Sequence, residues 1–304
     1  MKGVFIIFLT ISGICLAQND SVVDKTSIFS KIEKSESIDY ILHNSNIPLG
    51  TFTFYNTYIE IVCNYATEVH EHYHVLNNFL TAINGNGRSY FLKEDETVKV
   101  DKVDSIPSSR IIIDSIPFSL KQNSNRYWVY IEDTLSNKND SQVNGIYGLL
   151  EEFAAYSFSV SSSIEAYNFL NLKQAEDKLK LKLLNDNSDY LNAYYEFNYF
   201  IYQYLSNLKS MDFIKFNELV SNEKIKNIYF KTNERFKKEF EVFNDCLEQF
   251  IESHKDKLVV ENGYYYLIDD MQHGYSFSKS KLEKIKNIYE SNKIDDELYK
   301  IFHK

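Results

Sequence analysis

The sequence predicts an α+β fold in which a sheet and two long helices come first and a mainly α-helical part follows. Two stretches with apolar residues at helical spacing, 61–83 and 145–169, flank a region of short β-prone runs at 88–132. Beyond residue 171 the chain becomes charged and helical in character, with one further hairpin. These three observations indicate an α+β half and a helical half that meet near residue 170.

The N-terminus has the layout of a secretory signal peptide. Lys2 precedes an apolar run, residues 4–11, that is too short to span a bilayer, and Cys15 and Ala17 supply the small side chains of a cleavage site. The pattern predicts cleavage after Ala17 and a secreted or periplasmic protein. A lipid anchor on Cys15 fits less well, because Ile14 occupies a position that requires a small residue.

The composition limits the classes of partner. A formal net charge of −10 argues against a nucleic-acid partner, which would require a basic face. After the N-terminal run no apolar stretch reaches the length of a membrane span, so the mature protein is expected to be soluble. Cys63 and Cys246 remain in the processed chain, where they either form one disulfide or lie apart as two thiols.

The first elements along the chain are a strand and a helix. The alternating run at 51–55 predicts the strand. From residue 61 to residue 83 there is no Gly or Pro, and apolar side chains recur at helical spacing, which predicts a long amphipathic helix. Asn84 and Gly85 then open a run that suits the left-handed cap with which helices end.

Further strands and helices follow in order. Four β-prone runs are separated by polar breaks at 89–92, 98–100, 110–113 and 127–131. A polar loop at 136–142 leads to the second helix, 145–169. In the C-terminal part an apolar stripe from Phe236 to Phe250 predicts a helix, and an Asn-Gly turn at 262–263 predicts a hairpin.

A metal-binding pattern lies inside the first predicted helix. His70 and His74 are one turn apart on the same face, so both imidazoles can reach one ion. Glu71 lies beside them and can take a proton from a water molecule that the ion polarises. The stretch matches the HExxH pattern of zinc hydrolases without substitution. His72 points about a half-turn away, which favours a packed or supporting role over that of a ligand.

Two other interpretations of this cluster stay open. The histidines could form a solvated, coincidental group on a surface helix. Alternatively, His70, His72 and His74 would share one side of a strand and bind copper or zinc without catalysis. The uninterrupted helical pattern on both sides of the cluster argues against the strand.

A catalytic zinc ion needs a third protein ligand. The Gly and His of the extended HExxH pattern are absent, because Asn77 and Leu80 occupy those places, and no other His is nearby. A carboxylate is therefore expected, and the second predicted helix supplies Glu151 and Glu152.

With the HExxH match and this glutamate pair, the chain resembles the gluzincins, the thermolysin-like branch of the zincin metallopeptidases. The resemblance covers about residues 61–83 and 145–160. It implies a zincin-like core with a mixed β-sheet and two active-site helices, and it makes His70 and His74 zinc ligands and Glu71 the general base. The implied organisation along the chain is a signal peptide, 1–17, a zincin-like catalytic domain, 18–170, and a mainly helical C-terminal region, 171–304.

The resemblance assigns the third ligand to one of the two glutamates. Glu152 is preferred, because the small Ala155 three residues later lets the two helices approach around the ion. Glu151 stays an alternative ligand or a hydrogen-bond partner of the ligands. A second electrophile usually stabilises the oxyanion in such sites. The candidates for it are Tyr147, Tyr156 and His273.

The sequence therefore predicts a secreted metallopeptidase that uses Zn2+ to hydrolyse bonds of a peptide or protein substrate. Glu71 would take a proton from the attacking water and pass it to the leaving amine, while the metal polarises the carbonyl oxygen. The alternative is a non-catalytic zinc-binding module with a structural or adhesion role. Glu71 favours the enzyme, because a purely structural site needs no base.

Overall fold

The computed structural model describes residues 24–52, 57–85, 87–133, 140–261, 264–268 and 276–303. Over these ranges the chain is mostly helical with small antiparallel sheets, which confirms the α+β class. The predicted mixed sheet is not found in the described ranges, where every strand pair is antiparallel. Each pair joins strands that are consecutive in the sequence, and a short connection between consecutive strands makes them antiparallel. The predicted signal peptide, with Cys15 and Ala17, lies outside the described ranges.

The elements are numbered along the chain, and their bounds are as follows. The helices are α1 (Lys25–Phe29), α2 (Glu36–Asn44), α3 (Tyr58–Cys63), α4 (Tyr65–Asn84), α5 (Phe118–Asn123), α6 (Asn125–Tyr127), α7 (Asp140–Asn144), α8 (Ile146–Leu172), α9 (Asp177–Met211), α10 (Phe213–Val220), α11 (Glu223–Ser253), α12 (Lys279–Ser291) and α13 (Ile294–Phe302). The strands are β1 (Arg88–Lys93), β2 (Glu96–Val100), β3 (Leu258–Glu261), β4 (Tyr264–Leu267) and β5 (Ser276–Ser278). A 3₁₀ turn spans Ser109–Ser115 and a π-helical turn spans Trp128–Glu132.

Helix α4, which carries the histidine cluster, starts after a break at Asn64. The periodicity predicts one helix over 61–83, but Asn64 leaves the helical conformation with φ −93° and ψ 5°. Its side-chain amide donates to the carbonyl of Glu60 at 2.8 Å, a local bond that competes with the backbone ladder of a continuous helix. The helix ends at the predicted place, Gly85, whose φ of 76° suits a residue without a Cβ, but the ψ of −141° differs from that of the predicted left-handed cap.

Helix α8 confirms the second predicted helix. It is apolar on nearly all sides and lies in the middle of the molecule, packed against α4, α9 and α11. Gly145 precedes it at φ 53°, and a Cβ there would collide with the Pro107 carbonyl and the Tyr204 hydroxyl. Glycine is therefore needed where the chain enters this helix.

Two predicted strands are wrong. The run 110–113 is part of the 3₁₀ turn, and the run 127–131 belongs to α6 and the π-helical turn. In each case a serine hydroxyl before the run caps a helical turn: Ser108 accepts from the Arg110 amide at 3.2 Å and Ser124 from the Tyr127 amide at 2.9 Å. Capping and packing thus override the β-propensity of the Ile, Tyr and Val side chains.

The other strand predictions have mixed outcomes. β1 and β2 confirm the runs 89–92 and 98–100, and β3 and β4 confirm the hairpin, whose turn at 262–263 lies outside the described part of the chain. Of the run 51–55, Thr51 and Phe52 form a bend, and 53–56 are outside the description. Most of the predicted loop 136–142 is outside it as well.

One hydrophobic core contains buried side chains from both sides of residue 170. Cys63 and Cys246 are free thiols, which fits the second of the two alternatives for them, and burial raises the pKa of the Cys63 thiol. Among the helices that the structure describes, none combines the length and apolar character needed to cross a membrane.

The segment 24–52 is part of the fold rather than a loose surface layer. Ile28 and Phe29 of α1 and Ile38 and Ile41 of α2 are buried in the same core as the histidine helix. The Glu165 carboxylate of α8 holds the start of α2: it accepts from the Ser35 amide at 2.8 Å and from the Tyr65 hydroxyl at 3.3 Å. Removing this segment would therefore uncover the core beneath α4.

Stability is expected to fall between about pH 4.5 and pH 7 because of Glu165. Burial raises the pKa of this carboxyl from 4.5 to about 7, so the folded state binds its proton more tightly than the unfolded state. Deprotonation therefore costs more in the folded state, and the unfolding free energy falls as the pH rises through that window. Glu165→Gln removes this titration. In urea unfolding at several pH values, its unfolding free energy should rise by ~2–3 kcal/mol relative to that of the wild type between the lower and the higher pH. A difference that does not change with pH would contradict the assignment.

Candidate metal centre

Three side chains from two packed helices converge at one point. His70 and His74 lie one turn apart on α4, and Glu152 faces them from α8. The two Nε2 atoms are 3.1 Å apart, and the Glu152 Oε2 atom lies 3.5 Å from the first and 3.4 Å from the second. His70 is 7% exposed and Glu152 6%, so both are withdrawn from bulk water. The structure thus brings together the three residues that the sequence predicts as ligands.

The spacing of these atoms fits a metal ion. Zinc binds nitrogen and oxygen ligands at about 2.0–2.1 Å in a tetrahedron, whose neighbouring ligand atoms are roughly 3.3–3.4 Å apart. The three distances of 3.1, 3.4 and 3.5 Å outline one face of such a tetrahedron. The group formed by His70, His74 and Glu152 can therefore hold a metal ion.

The outer nitrogen of His74 is held by a carboxylate. His74 Nδ1 lies 2.9 Å from Glu151 Oε1, and the other oxygen of Glu151 accepts from the Arg88 guanidinium. Because a carboxylate only accepts, Nδ1 must carry the proton of this bond. In its neutral form the imidazole then presents the lone pair of Nε2 to the centre, the arrangement by which a supporting carboxylate orients a metal-binding histidine.

His70 is oriented in the same way by a hydroxyl. Its Nδ1 lies 3.2 Å from Ser159 Oγ, and that hydroxyl donates to the Ala155 carbonyl at 3.2 Å. Since the serine proton is used there, Ser159 accepts from Nδ1–H, and Nε2 of His70 also presents a lone pair. Glu152 Oε2 is buried and makes no hydrogen bond of its own. When both histidines are neutral, three lone pairs therefore face one another, and a cation between them, either a proton or a metal ion, relieves the repulsion.

The two histidines and Glu152 shift one another's pKa values. Burial by itself lowers the pKa of His74, but the Glu152 carboxylate outweighs it, so the pKa lies above its ordinary value. Burial would raise the pKa of Glu152, but His74 and His70 outweigh it and hold the pKa well below its ordinary value. Glu152 is thus kept as an anion, which is the state that a metal ligand requires, and a metal ion would compete with the proton that Glu152 favours on His74.

The two glutamates that the sequence could not separate have different surroundings. Glu152 lies near the Nε2 atoms of both His70 and His74. Glu151 instead accepts hydrogen bonds from His74 Nδ1 and from the Arg88 guanidinium. This geometry favours Glu152 as the third donor and gives Glu151 the supporting position. Arg88 comes from β1, the strand that α4 holds at Phe91: the Phe91 amide donates to Asn77 Oδ1 at 2.9 Å, and its carbonyl accepts from the Tyr73 hydroxyl at 3.2 Å.

Glu71 follows His70 on α4 and is close enough to His74 to act on its charge. It is half-buried and outside the three-atom group, and its carboxylate makes a smaller contribution to the raised pKa of His74. The His74 side chain is 19% exposed, so solvent reaches this member of the group. The general-base role of Glu71 stays a prediction, and its position beside His74 is compatible with that role.

His72 points into the fold, away from the other two histidines. It is completely buried, with Nδ1 2.5 Å from Ser45 Oγ and Nε2 3.1 Å from Glu68 Oε1. The same carboxylate accepts from the amides of Gly50 and Phe52 at 2.6 and 3.1 Å. His72 therefore ties the segment 45–52 to α4, in agreement with the supporting role that its helical position predicts.

His72→Ala is expected to lower the unfolding free energy by about 3–5 kcal/mol without loss of bound zinc. The substitution leaves the buried Glu68 carboxylate without its imidazole partner, and breaking a buried pair costs this much. Urea unfolding and elemental analysis of the purified protein measure the two effects. His43→Ala, at a side chain that is 79% exposed, is the matched control and should change neither. Loss of zinc at wild-type stability would instead make His72 a ligand.

The aromatic candidates for oxyanion stabilisation separate in the structure. The Tyr156 ring contacts the His70 ring edge-on at 4.6 Å, and its hydroxyl bonds that of Tyr130 at 3.1 Å. Burial raises the pKa of Tyr156 to about 12, so the hydroxyl keeps its proton at neutral pH. Tyr147 is used elsewhere, because its hydroxyl accepts from the Val103 amide at 2.8 Å. His273 lies outside the described residues.

Sequence reasoning missed four residues around the centre: Arg88, Arg126, Tyr130 and Ser159. Ser159 could have been found, since it follows Glu152 by seven positions and so lies on the same face of α8. Tyr130 lies in the run 127–131, for which the sequence predicts a strand instead of the helical turn that brings its hydroxyl to Tyr156. Arg88 and Arg126 are far from the motif in sequence, and no local pattern marks them.

Comparison of the chain with protein-family models, with curated proteins and with solved structures finds no match.

Proposed function

We propose that this protein is a zinc-dependent metallopeptidase of the gluzincin type. The observation that carries the proposal is the convergence of His70, His74 and Glu152 on one point, with Glu71 next to the first histidine on the same helix. Two imidazoles and one carboxylate form a donor set common to catalytic zinc sites, which keep a fourth position open. The His74 side chain is 19% exposed, so the group is not sealed from solvent.

In the proposed hydrolysis, the zinc ion, Glu71 and Tyr156 have separate roles. When bound, zinc would bring the pKa of a coordinated water near neutrality and polarise the carbonyl group of the substrate. Glu71 accepts a proton from the attacking water and returns it to the leaving amine. Tyr156, paired with Tyr130, donates a hydrogen bond to the oxygen on which negative charge develops.

The supporting residues fix the geometry of the donors. Arg88 and Glu151 hold the His74 ring from behind, and Ser159 holds the His70 ring. Such partners raise the basicity of a ligand and fix its tautomer. We propose that a signal peptide cleaved after Ala17 directs export of the chain and that the protein acts on a peptide or protein substrate outside the cytoplasm.

Removal of the metal is the first test. Protein loaded with one equivalent of zinc should cleave members of a broad peptide library, and dialysis against a chelator should abolish cleavage until zinc is added back. The chelated protein should also be less stable, by about 4 kcal/mol if zinc was present at 1,000 times its Kd. Magnesium should not restore activity, because it prefers oxygen ligands.

One outcome would replace the proposal. If the protein binds one zinc, gains stability from it and cleaves no peptide in the library, the peptidase function fails. The non-catalytic zinc-binding module, with a structural or adhesion role, would then be the better description of the same site.

A further inference from the structure

Arg126 is a buried cation close to the candidate metal centre. It is the middle residue of α6, two positions before the π-helical turn that carries Tyr130, and it is 4% exposed. Its guanidinium donates to Glu196 Oε2 at 2.7 Å and lies 3.4 Å from Asp189 Oδ2. The charge is thus compensated by two carboxylates of α9.

The flat face of this guanidinium covers an aromatic ring of the centre. The Arg126 Cζ atom lies 4.2 Å from the centroid of the Tyr156 ring. That ring in turn contacts the His70 ring at 4.6 Å, and its hydroxyl bonds the Tyr130 hydroxyl. A continuous row of contacts therefore runs from Glu196 through Arg126 and Tyr156 to His70.

Stability alone does not account for a charge in this position. A buried ion pair is often no better for stability than apolar residues of similar volume, because both charges lose their hydration. Arginine is suited to the geometry, because its planar group can stack on a ring while its edge donates to a carboxylate. Lysine offers a point charge without that face.

We propose that Arg126 is a positioning residue that clamps the Tyr156 ring against His70 and thereby fixes both this histidine and the Tyr156–Tyr130 hydroxyl pair. The inference rests on the proposed peptidase function for its catalytic consequence. Its structural consequence, the orientation of His70 at a bound metal, can be measured without any substrate.

The test uses the full-length protein with Arg126→Met combined with Glu196→Gln, so that no buried charge is left alone. The variant should still bind one zinc, and its kcat should fall by about 10–100-fold, the loss typical of residues that orient ligands. Its KM should change by less than about threefold. The visible absorption of the cobalt-substituted protein, which reports the ligand field, should shift.

Arg235→Met is the matched control. Arg235 covers the Phe158 ring on the same helix at 3.9 Å and donates to the Ser157 hydroxyl and the Leu92 carbonyl, so the lesion is of the same kind. This variant should lose stability and keep both kcat and the cobalt spectrum. If the double variant does not fold, Arg126→Lys replaces it, and a several-fold lower kcat with a shifted spectrum is expected.

Wild-type kcat and an unchanged cobalt spectrum in the folded Arg126 variant would overturn the proposal. A spectral shift equal to that of Arg235→Met would do the same, because it would show a general loosening of the fold. If wild-type protein cleaves no peptide, the peptidase function fails, and the cobalt spectrum still decides whether Arg126 positions His70.

Discussion

Zinc binding is expected to weaken far more on Glu152→Gln than on Glu151→Gln, although the two side chains are adjacent and both buried. Glu152 supplies the only carboxylate oxygen of the three-atom group, and glutamine would put a neutral amide in its place. Glu151 acts on His74 from outside, through Nδ1, and glutamine can still accept that hydrogen bond. Loss of a supporting partner costs about 10–100-fold in metal affinity, and loss of the ligand should exceed this range.

Competition with a chromophoric chelator measures both affinities. Glu165→Gln is a suitable control, because it changes a largely buried glutamate on the same helix that contacts Ser35 and Tyr65 rather than the centre. It should bind zinc like the wild type. Equal retention by the Glu151 and Glu152 variants would place the third donor elsewhere, and a greater loss in Glu151→Gln would exchange the two assignments.

The metal donors were accessible from sequence because helices make their geometry regular. The spacing of His70 and His74 places both on one face of any helix, and the apolar period around them predicts that helix. The glutamate pair was found by its place on a second apolar helix. Which of the two faces the histidines could not be predicted, because adjacent residues are separated by about 100° and the rotation of α8 depends on its neighbours.

The surroundings of the donors depend on contacts that are distant in sequence. Arg88 reaches Glu151 from β1, and Arg126 reaches Glu196 across 70 positions. The β-propensity of 127–131 predicts a strand, but this propensity is weaker than the serine cap at Ser124 and the packing of Tyr130 beside Tyr156. Periodicity and spacing in the sequence thus predict the two helices and the HExxH motif, whereas tertiary packing determines which residues surround the metal donors.

Glu71→Gln is expected to lower peptide cleavage by about 100- to 10,000-fold while leaving one zinc bound. The substitution keeps the size and hydrogen-bonding reach of the side chain and removes its ability to accept a proton. Zinc should be retained, because Glu71 lies outside the donor group and is turned from His74 by about 60° around the helix. The measurement is kcat/KM on the best peptide found for the wild type, with zinc content determined in the same samples.

Glu60→Gln provides the control for this variant, since it changes a half-buried glutamate on the preceding helix, bonded to Thr57. It should cleave at the wild-type rate. Equal cleavage by Glu71→Gln and the wild type, with one zinc in each, would show that another group accepts the proton. A variant that neither cleaves peptide nor retains zinc would show that Glu71 is needed to hold the ion. The general base would then have to be another residue near the exposed part of the His74 side chain.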